Sequence, residues 1–236
     1  MTGWGVIFDC DGVLVDSEAL SDEAFADTLK RFAGGVELAR EDWEMICGTT
    51  DADCVNYVSR RFQTPIDCRA FKEYKAARYQ ELAKERGLPL FEGVLDLLDG
   101  LDAIDAPYAV ASSGSPEKIR INLEFNAIAH RFRATVSGEE FERGKPDPAL
   151  FLAAAARIGL PPECCAVIED SQNGIRAAKA AGMACLAVAN SFESRQLATA
   201  DRVVRSLAEV SALELRALIE GAHAQINDHR EQPLRR

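Results

Sequence analysis

The stretch Val6-Ile7-Phe8-Asp9-Cys10-Asp11-Gly12-Val13 decides how the rest of the chain reads. An apolar run stops at two aspartates one residue apart, and a glycine follows at once. A short apolar run ended by a turn signal predicts a buried strand. Residues two apart in a strand point to the same side, so Asp9 and Asp11 emerge together from its carboxyl end. In open α/β sheets, ligands sit at that end. Two carboxylates a few ångströms apart repel, and burial deepens the repulsion. Such a pair is tolerated when a cation lies between them or when one of them carries a proton. Gly12 permits a sharp exit and a close approach of backbone N–H groups to an anion. Alone, Asp-Xaa-Asp describes any strand that ends in polar residues, so the rest of the chain has to complete a site.

Composition narrows the options. At 236 residues the chain holds one large α/β core with an insertion, or two modest domains. With 47% apolar residues, a core forms without metals or disulfides as staples. No N-terminal signal and no apolar run long enough to span a membrane are visible, which predicts a cytoplasmic chain with no membrane partner. The seven cysteines are scattered, odd in number and without a Cys-Xaa-Xaa-Cys pair, which suits free thiols in a reducing compartment. Cys10 faces away from the aspartates, toward the core. A net charge of −11 argues against nucleic acid and anionic membranes. An anionic substrate would then need local positive potential, from a metal ion, a lysine or helix N-termini.

Taken in order, Val6–Phe8 reads as the first strand. From Asp16 to about Arg86 the apolar residues recur at helical spacing, as at Phe25, Leu29 and Phe32 and again at Val55, Val58 and Phe62. No strand-like run interrupts them, and Gly87-Leu88-Pro89 marks the exit. Tyr108–Ala111 reads as the second strand, with Ser115 as N-cap and Pro116 as first residue of the next helix. Phe132–Val136 reads as the third strand, Ala166–Ile168 as the fourth, Met183–Val188 as the fifth and Arg202–Val204 as the sixth. A helix over Leu207–Ile219 closes the chain, and Asn227–Arg236 reads as a frayed end. Strands alternating with helices predict a Rossmann-like parallel sheet in a three-layer α/β/α sandwich. Residues 1–16 and 88–236 form that α/β core domain. Residues 17–87 form an inserted all-helical cap domain over the carboxyl edge of the sheet.

Four strand ends then carry polar residues: Asp9 with Asp11, Ser112, Lys145 just past a loop, and Glu169 with Asp170. The topology brings them to one crevice. The set resembles the haloacid dehalogenase-like superfamily of phosphotransferases, whose four motifs match in order Asp9-Cys10-Asp11-Gly12-Val13, Ser112, Gly144-Lys145-Pro146 and Glu169-Asp170. The helical insertion, Asp16-Ser17-Glu18 and the Gly48-Thr49-Thr50 turn resemble its β-phosphoglucomutase-like phosphatases. The resemblance implies Asp9 as nucleophile and Asp11 as general acid and base. Mg²⁺, which favours oxygen ligands, would be held by Asp9, the Asp11 backbone carbonyl and Asp170, with Glu169 a ligand through water or an orienting group. Lys145, Ser112, Ser113 and Gly12 would hold phosphate oxygens, and Gly48, Thr49 and Thr50 are candidates for the substrate loop.

Each residue also has a plainer reading. Ser112 can simply end a strand, Lys145 can be a solvated lysine, Glu169-Asp170 can cap a helix, and Gly48-Thr49-Thr50 can be an ordinary turn. Two acids at the end of a buried strand without a cation would be costly, which favours the metal.

The pattern departs from the mutases at two places. Ser21 stands where they carry a histidine, and Asp51 where an arginine follows the cap turn. Asp11 is missing from most dehalogenases, so halide chemistry is disfavoured. The expected activity is a Mg²⁺-dependent phosphatase that hydrolyses a small phosphorylated metabolite, a sugar or sugar-acid phosphate, through an aspartyl-phosphate. A phosphosugar mutase and a phospho-accepting receiver domain are the alternatives. A monomer or weak homodimer is expected.

Overall fold

The computed structural model describes residues 3–46 and 49–231, with the side chains of the last helix as far as Ala222. Its centre is a six-stranded, all-parallel sheet in the order β3-β2-β1-β4-β5-β6. The strands are β1 (Gly5–Phe8), β2 (Tyr108–Ser112), β3 (Ala134–Ser137), β4 (Cys165–Glu169), β5 (Ala184–Val188) and β6 (Arg202–Val204). Strand β1 lies mid-sheet, with Phe8 opposite Val110 of β2 on one side and Ile168 of β4 on the other. Strand order reverses direction there, the place where doubly wound sheets open a crevice at their carboxyl ends.

Buried parallel strands are apolar on both faces, and the alternation splits the core into two layers. Val6, Phe8, Val110 and Ile168 face one side, where α5 (Val94–Asp102), α6 (Pro116–Phe125) and α9 (Ala212–Glu231) cover them. Ile7, Ala109, Ala111 and Val167 face the other, under α7 (Ala149–Arg157) and α8 (Gln172–Ala180). Phe8 meets Tyr108 and Phe132 edge-on, with ring centres 6.0 and 6.1 Å away. Cys10 joins the first of these layers, fully buried, on the face expected of it.

Between β1 and β2 the chain forms α1 (Glu18–Phe32), α2 (Arg40–Ile46), α3 (Asp51–Arg61) and α4 (Cys68–Arg86). These helices have an apolar cluster of their own around Phe25, Val58 and Phe71. Phe71 meets Phe25 edge-on at 5.7 Å. Among the described residues no helix is long and apolar enough to cross a membrane.

Two expectations shift. The third strand begins at Ala134 rather than Phe132, because the Phe132 ring is drawn down onto Phe8 and Tyr108 before pairing with β2 starts. The closing helix begins at Ala212, after a tight turn at Leu207–Glu209, and continues to Glu231 through part of the segment read as frayed. The polar composition of Asn227–Glu231 hid this continuation, because an amphipathic stripe is not needed for the backbone to go on hydrogen bonding as a helix.

Candidate active site

Asp9 follows β1 directly, and its N–H still donates to the Ile168 carbonyl at 3.0 Å. The chain then turns sharply. Gly12 adopts φ +77°, and its N–H closes onto the Val15 carbonyl at 3.1 Å. A Cβ at position 12 would run into the Asp170 carboxylate, so only glycine lets the β1 and β4 loops approach this closely.

One ammonium ties these loops together. Lys145 Nζ donates to Asp9 Oδ1 and to Glu169 Oε1, both at 2.6 Å, with only 1% of its side chain exposed. The other Glu169 oxygen accepts from the Asp170 and Ser171 backbone N–H groups, at 2.9 and 2.8 Å, and from the Ser171 hydroxyl at 2.9 Å. These donors lie in the turn that leads into α8, whose N-terminus favours an anion nearby. Gly174 leaves room for the carboxylate; a Cβ there would overlap it. The Glu169 carboxylate is therefore spent on Lys145 and the helix start. Asp170 accepts from Ser191 Oγ.

Two buried carboxylates thus share one buried ammonium, and a third, Asp170, lies beside them without a cation of its own among the described residues. Burial raises Asp9 from 3.8 to about 7, against the pull of Lys145 and with the push of Glu169 and Asp11. Burial, then the charges of Glu169 and Asp9, raise Asp170 well above its ordinary range. Lys145 is raised despite burial because Asp9 and Glu169 flank it.

Asp11 faces other partners. Its carboxylate accepts from Ser17 Oγ, from Lys118 Nζ at 2.8 Å, from Asn122 Nδ2 at 3.0 Å and from Ser112 Oγ at 3.4 Å. Burial pushes Asp11 up, but the Lys118 charge and these hydrogen bonds outweigh it and hold the carboxyl below its ordinary value. Lys118 also donates to Ser21 Oγ at 3.0 Å and lies 5.0 Å from the Tyr79 ring centre. Tyr79, on α4, donates to Asn122 Oδ1 at 2.5 Å, so a buried chain runs from the helical insert to Asp11.

A cavity of about 200 Å³ brings together Asp9, Asp11, Ser112, Ser113, Lys145 and Asp170 beneath residues of α1, α2 and α4. Thr49 lines it, whereas the Thr50 hydroxyl caps α3, in a reciprocal pair with Asp53, and its methyl packs on Gly138 and Gly144. Gly48 lies outside the described residues. Lys118, Asn122, Tyr79 and Ser191 were not singled out from the sequence. A signal existed for Asn122, a polar residue on the inward face of α6 beside Ile119 and Leu123, one turn beyond Lys118.

Comparison with known proteins settles the family. The sequence model of the "Haloacid dehalogenase-like hydrolase" family matches residues 6–188. The chain belongs to that family. Among its relatives is the chloroplastic Protein SUPPRESSOR OF QUENCHING 1 of Arabidopsis thaliana, 36% identical over 78% of this chain but only 18% of the relative's length. Hexitol phosphatase A of Escherichia coli strain K12 is 27% identical over 88% of this chain and 93% of its own. A mutant CbbY from Rhodobacter sphaeroides, crystallised with xylulose-(1,5)bisphosphate, superposes with a TM-score of 0.78 at 26% identity, covering 91% of this chain and 99% of that one. Family membership sets the receiver-domain alternative aside.

The raised Asp9 has a consequence for stability. A carboxyl that titrates near 7 when folded and near 3.8 when unfolded makes folding less favourable as pH climbs between those values. With divalent cations chelated, Asp9→Asn is therefore expected to melt with the native protein at pH 4 and above it at pH 8. The difference is at most about 4 kcal/mol. Thermal melts at the two pH values check this, and a variant less stable at pH 8 would contradict it.

Proposed function

We propose that this chain is a phosphoric monoester hydrolase that accepts the phosphoryl group of a small phosphorylated metabolite on Asp9 and passes it to water. One observation carries the reading. The Asp9 carboxylate sits buried at the strand switch point, held through one oxygen by Lys145, with a second carboxylate, Asp11, lining the same cavity and held by a separate set of donors. A relative named for phosphatase activity supports the reaction class, and a cavity of about 200 Å³ suits a small ester such as a sugar phosphate rather than a macromolecule. Residues 17–87 act, on this proposal, as a cap domain that covers the leaving group and excludes water.

The residues fit a hard divalent cation. Among the described residues no three His, Cys, Asp or Glu side chains group as a metal cluster. Mg²⁺, however, needs only one or two carboxylates together with water and phosphate oxygens. Asp9 and Asp170 offer carboxylates whose charge burial penalises, and the Asp11 backbone carbonyl adds an oxygen. Glu169, engaged elsewhere, orients Lys145 and the start of α8. Bound there, Mg²⁺ would neutralise the oxygens of the transferring phosphoryl group.

In the first half of the reaction, an Asp9 oxygen attacks phosphorus. The bond to the alcohol oxygen breaks, and Asp11 gives that oxygen a proton. Lys145 and the Ser112 hydroxyl hold phosphate oxygens as the charge redistributes. Lys118, Ser17 and Asn122 hold Asp11 as a carboxylate, the form the second half needs. The proton for the first half arrives with the monoanionic ester, whose second ionisation lies at about 6. In the second half Asp11 takes a proton from water as the water oxygen attacks phosphorus. The Asp9–phosphorus linkage breaks and phosphate leaves.

With Mg²⁺ present, the protein is expected to release phosphate from 4-nitrophenyl phosphate. Asp9→Asn should lower kcat by at least about a thousandfold while keeping the fold by circular dichroism; retained turnover would remove Asp9 as nucleophile. Asn122→Ala should lower kcat/KM for an alkyl phosphate by about a hundredfold. For 2,4-dinitrophenyl phosphate, whose leaving group needs no proton, it should have little effect. An equal loss on both substrates would show that Asn122 does not act through Asp11.

A further inference from the structure

The wall of the cavity beyond the reacting groups constrains the alcohol half of the substrate. Glu18 and Asp22 of α1 and Asp51 of α3 line this outer part. Lys75 of α4 lines it too, but its ammonium is already paired with Asp51, in a contact where the two side chains are 18% and 25% exposed. Lys118 is engaged by Asp11. Glu117 is met by Gln80 at 2.9 Å and Arg120 at 3.6 Å. Among the described residues lining the cavity, every lysine therefore has a carboxylate on it, while Glu18 and Asp22 have no ion-pair partner there. Phe25 and Trp43, in edge contact at 5.5 Å, add an apolar surface.

We infer that the substrate's leaving group carries no negative charge: the enzyme selects phosphate monoesters of uncharged, hydroxyl-bearing alcohols over bisphosphates and phosphorylated acids. The inference rests on the phosphatase reading above. A second phosphate or a carboxylate in the outer cavity meets an excess of like charge and no unengaged ammonium, and a like-charge contact in a partly closed site is strongly selected against. Hydroxyl groups, in contrast, can donate to the Asp22, Asp51 and Glu18 carboxylates, while the C–H face of a sugar or polyol packs on Phe25 and Trp43. The Asp51–Lys75 pair is the specificity element, because it cancels the one cation that α4 presents to the cavity.

The test uses matched substrates with Mg²⁺ present: glycerol 3-phosphate against 3-phosphoglycerate, which differ by a carboxylate, and glucose 6-phosphate against glucose 1,6-bisphosphate. The native enzyme is expected to show kcat/KM at least about tenfold higher for the uncharged member of each pair. Asp51→Asn, which frees Lys75, should narrow that ratio, and Lys75→Met, which leaves Asp51 unpaired, should widen it; melting curves verify that both variants fold. Equal or better turnover of the anionic members, or ratios unmoved in both variants, would overturn the inference while leaving the phosphatase reading intact. A native enzyme that hydrolyses none of these esters, nor 4-nitrophenyl phosphate, would overturn that reading and this inference with it.

Discussion

One buried ammonium shared by two carboxylates governs the architecture of this molecule. Lys145 reaches Asp9 and Glu169 at equal distance, and neither acid has another cation within contact among the described residues. That contact requires β1 and β4 to be neighbours, because only adjacent strands deliver Asp9 and Glu169 to one point. It requires the turn into α8 to follow β4 at once, so that the Asp170 and Ser171 N–H groups take the second Glu169 oxygen. It also requires glycine at positions 12 and 174, where any side chain would displace a carboxylate. Even so, the charge does not balance. With Asp170 added, three carboxylates face one ammonium at a buried point, and burial turns that deficit into raised Asp9 and Asp170 carboxyls. On the proposed function, a divalent cation would relieve that deficit, with phosphate oxygens among its further ligands.

Much of this was legible in the sequence, for identifiable reasons. Parallel strands buried on both faces leave uninterrupted apolar runs, so β1, β2, β4 and β5 stand out, and their polar ends mark the crevice. Helical spacing of Phe25, Leu29 and Phe32 exposed the insertion. Other features left weaker traces. Lys118 and Asn122 look like ordinary helix residues until α6 is docked beside Asp11; their role comes from three-dimensional placement, not from a motif. Thr50 was a candidate for touching substrate, and its hydroxyl proves to cap α3, a local backbone need that a Thr in a turn serves equally well. The start of β3 was misjudged by two residues because an apolar ring before a strand looks like part of it.

The two layers of the molecule divide the work. On the proposed function, the groups that bond to phosphorus or its oxygens come from loops at the sheet edge, whose positions the buried strands fix, and those that would meet the alcohol come chiefly from the helical insert. The layers are nonetheless joined at defined points: Tyr79 to Asn122, Lys72 to Glu139 at 2.6 Å, and Thr50 against Gly144 beside Lys145. The first of these reaches Asp11 through one intervening side chain. A movement of α4 would therefore be felt at that carboxylate, which links coverage of the leaving group to the residue proposed to protonate it.

The account depends on the carboxylate excess around Lys145 drawing in a divalent cation. Isothermal titration of Mg²⁺ into the metal-free protein near pH 6.5, in buffers of different ionisation enthalpy, measures this directly. The account predicts one ion per chain with protons released on binding, because Asp9 and Asp170 give up protons that burial had retained, and loss of the site in Asp170→Asn. No uptake, or uptake that Asp170→Asn leaves unchanged, would contradict it.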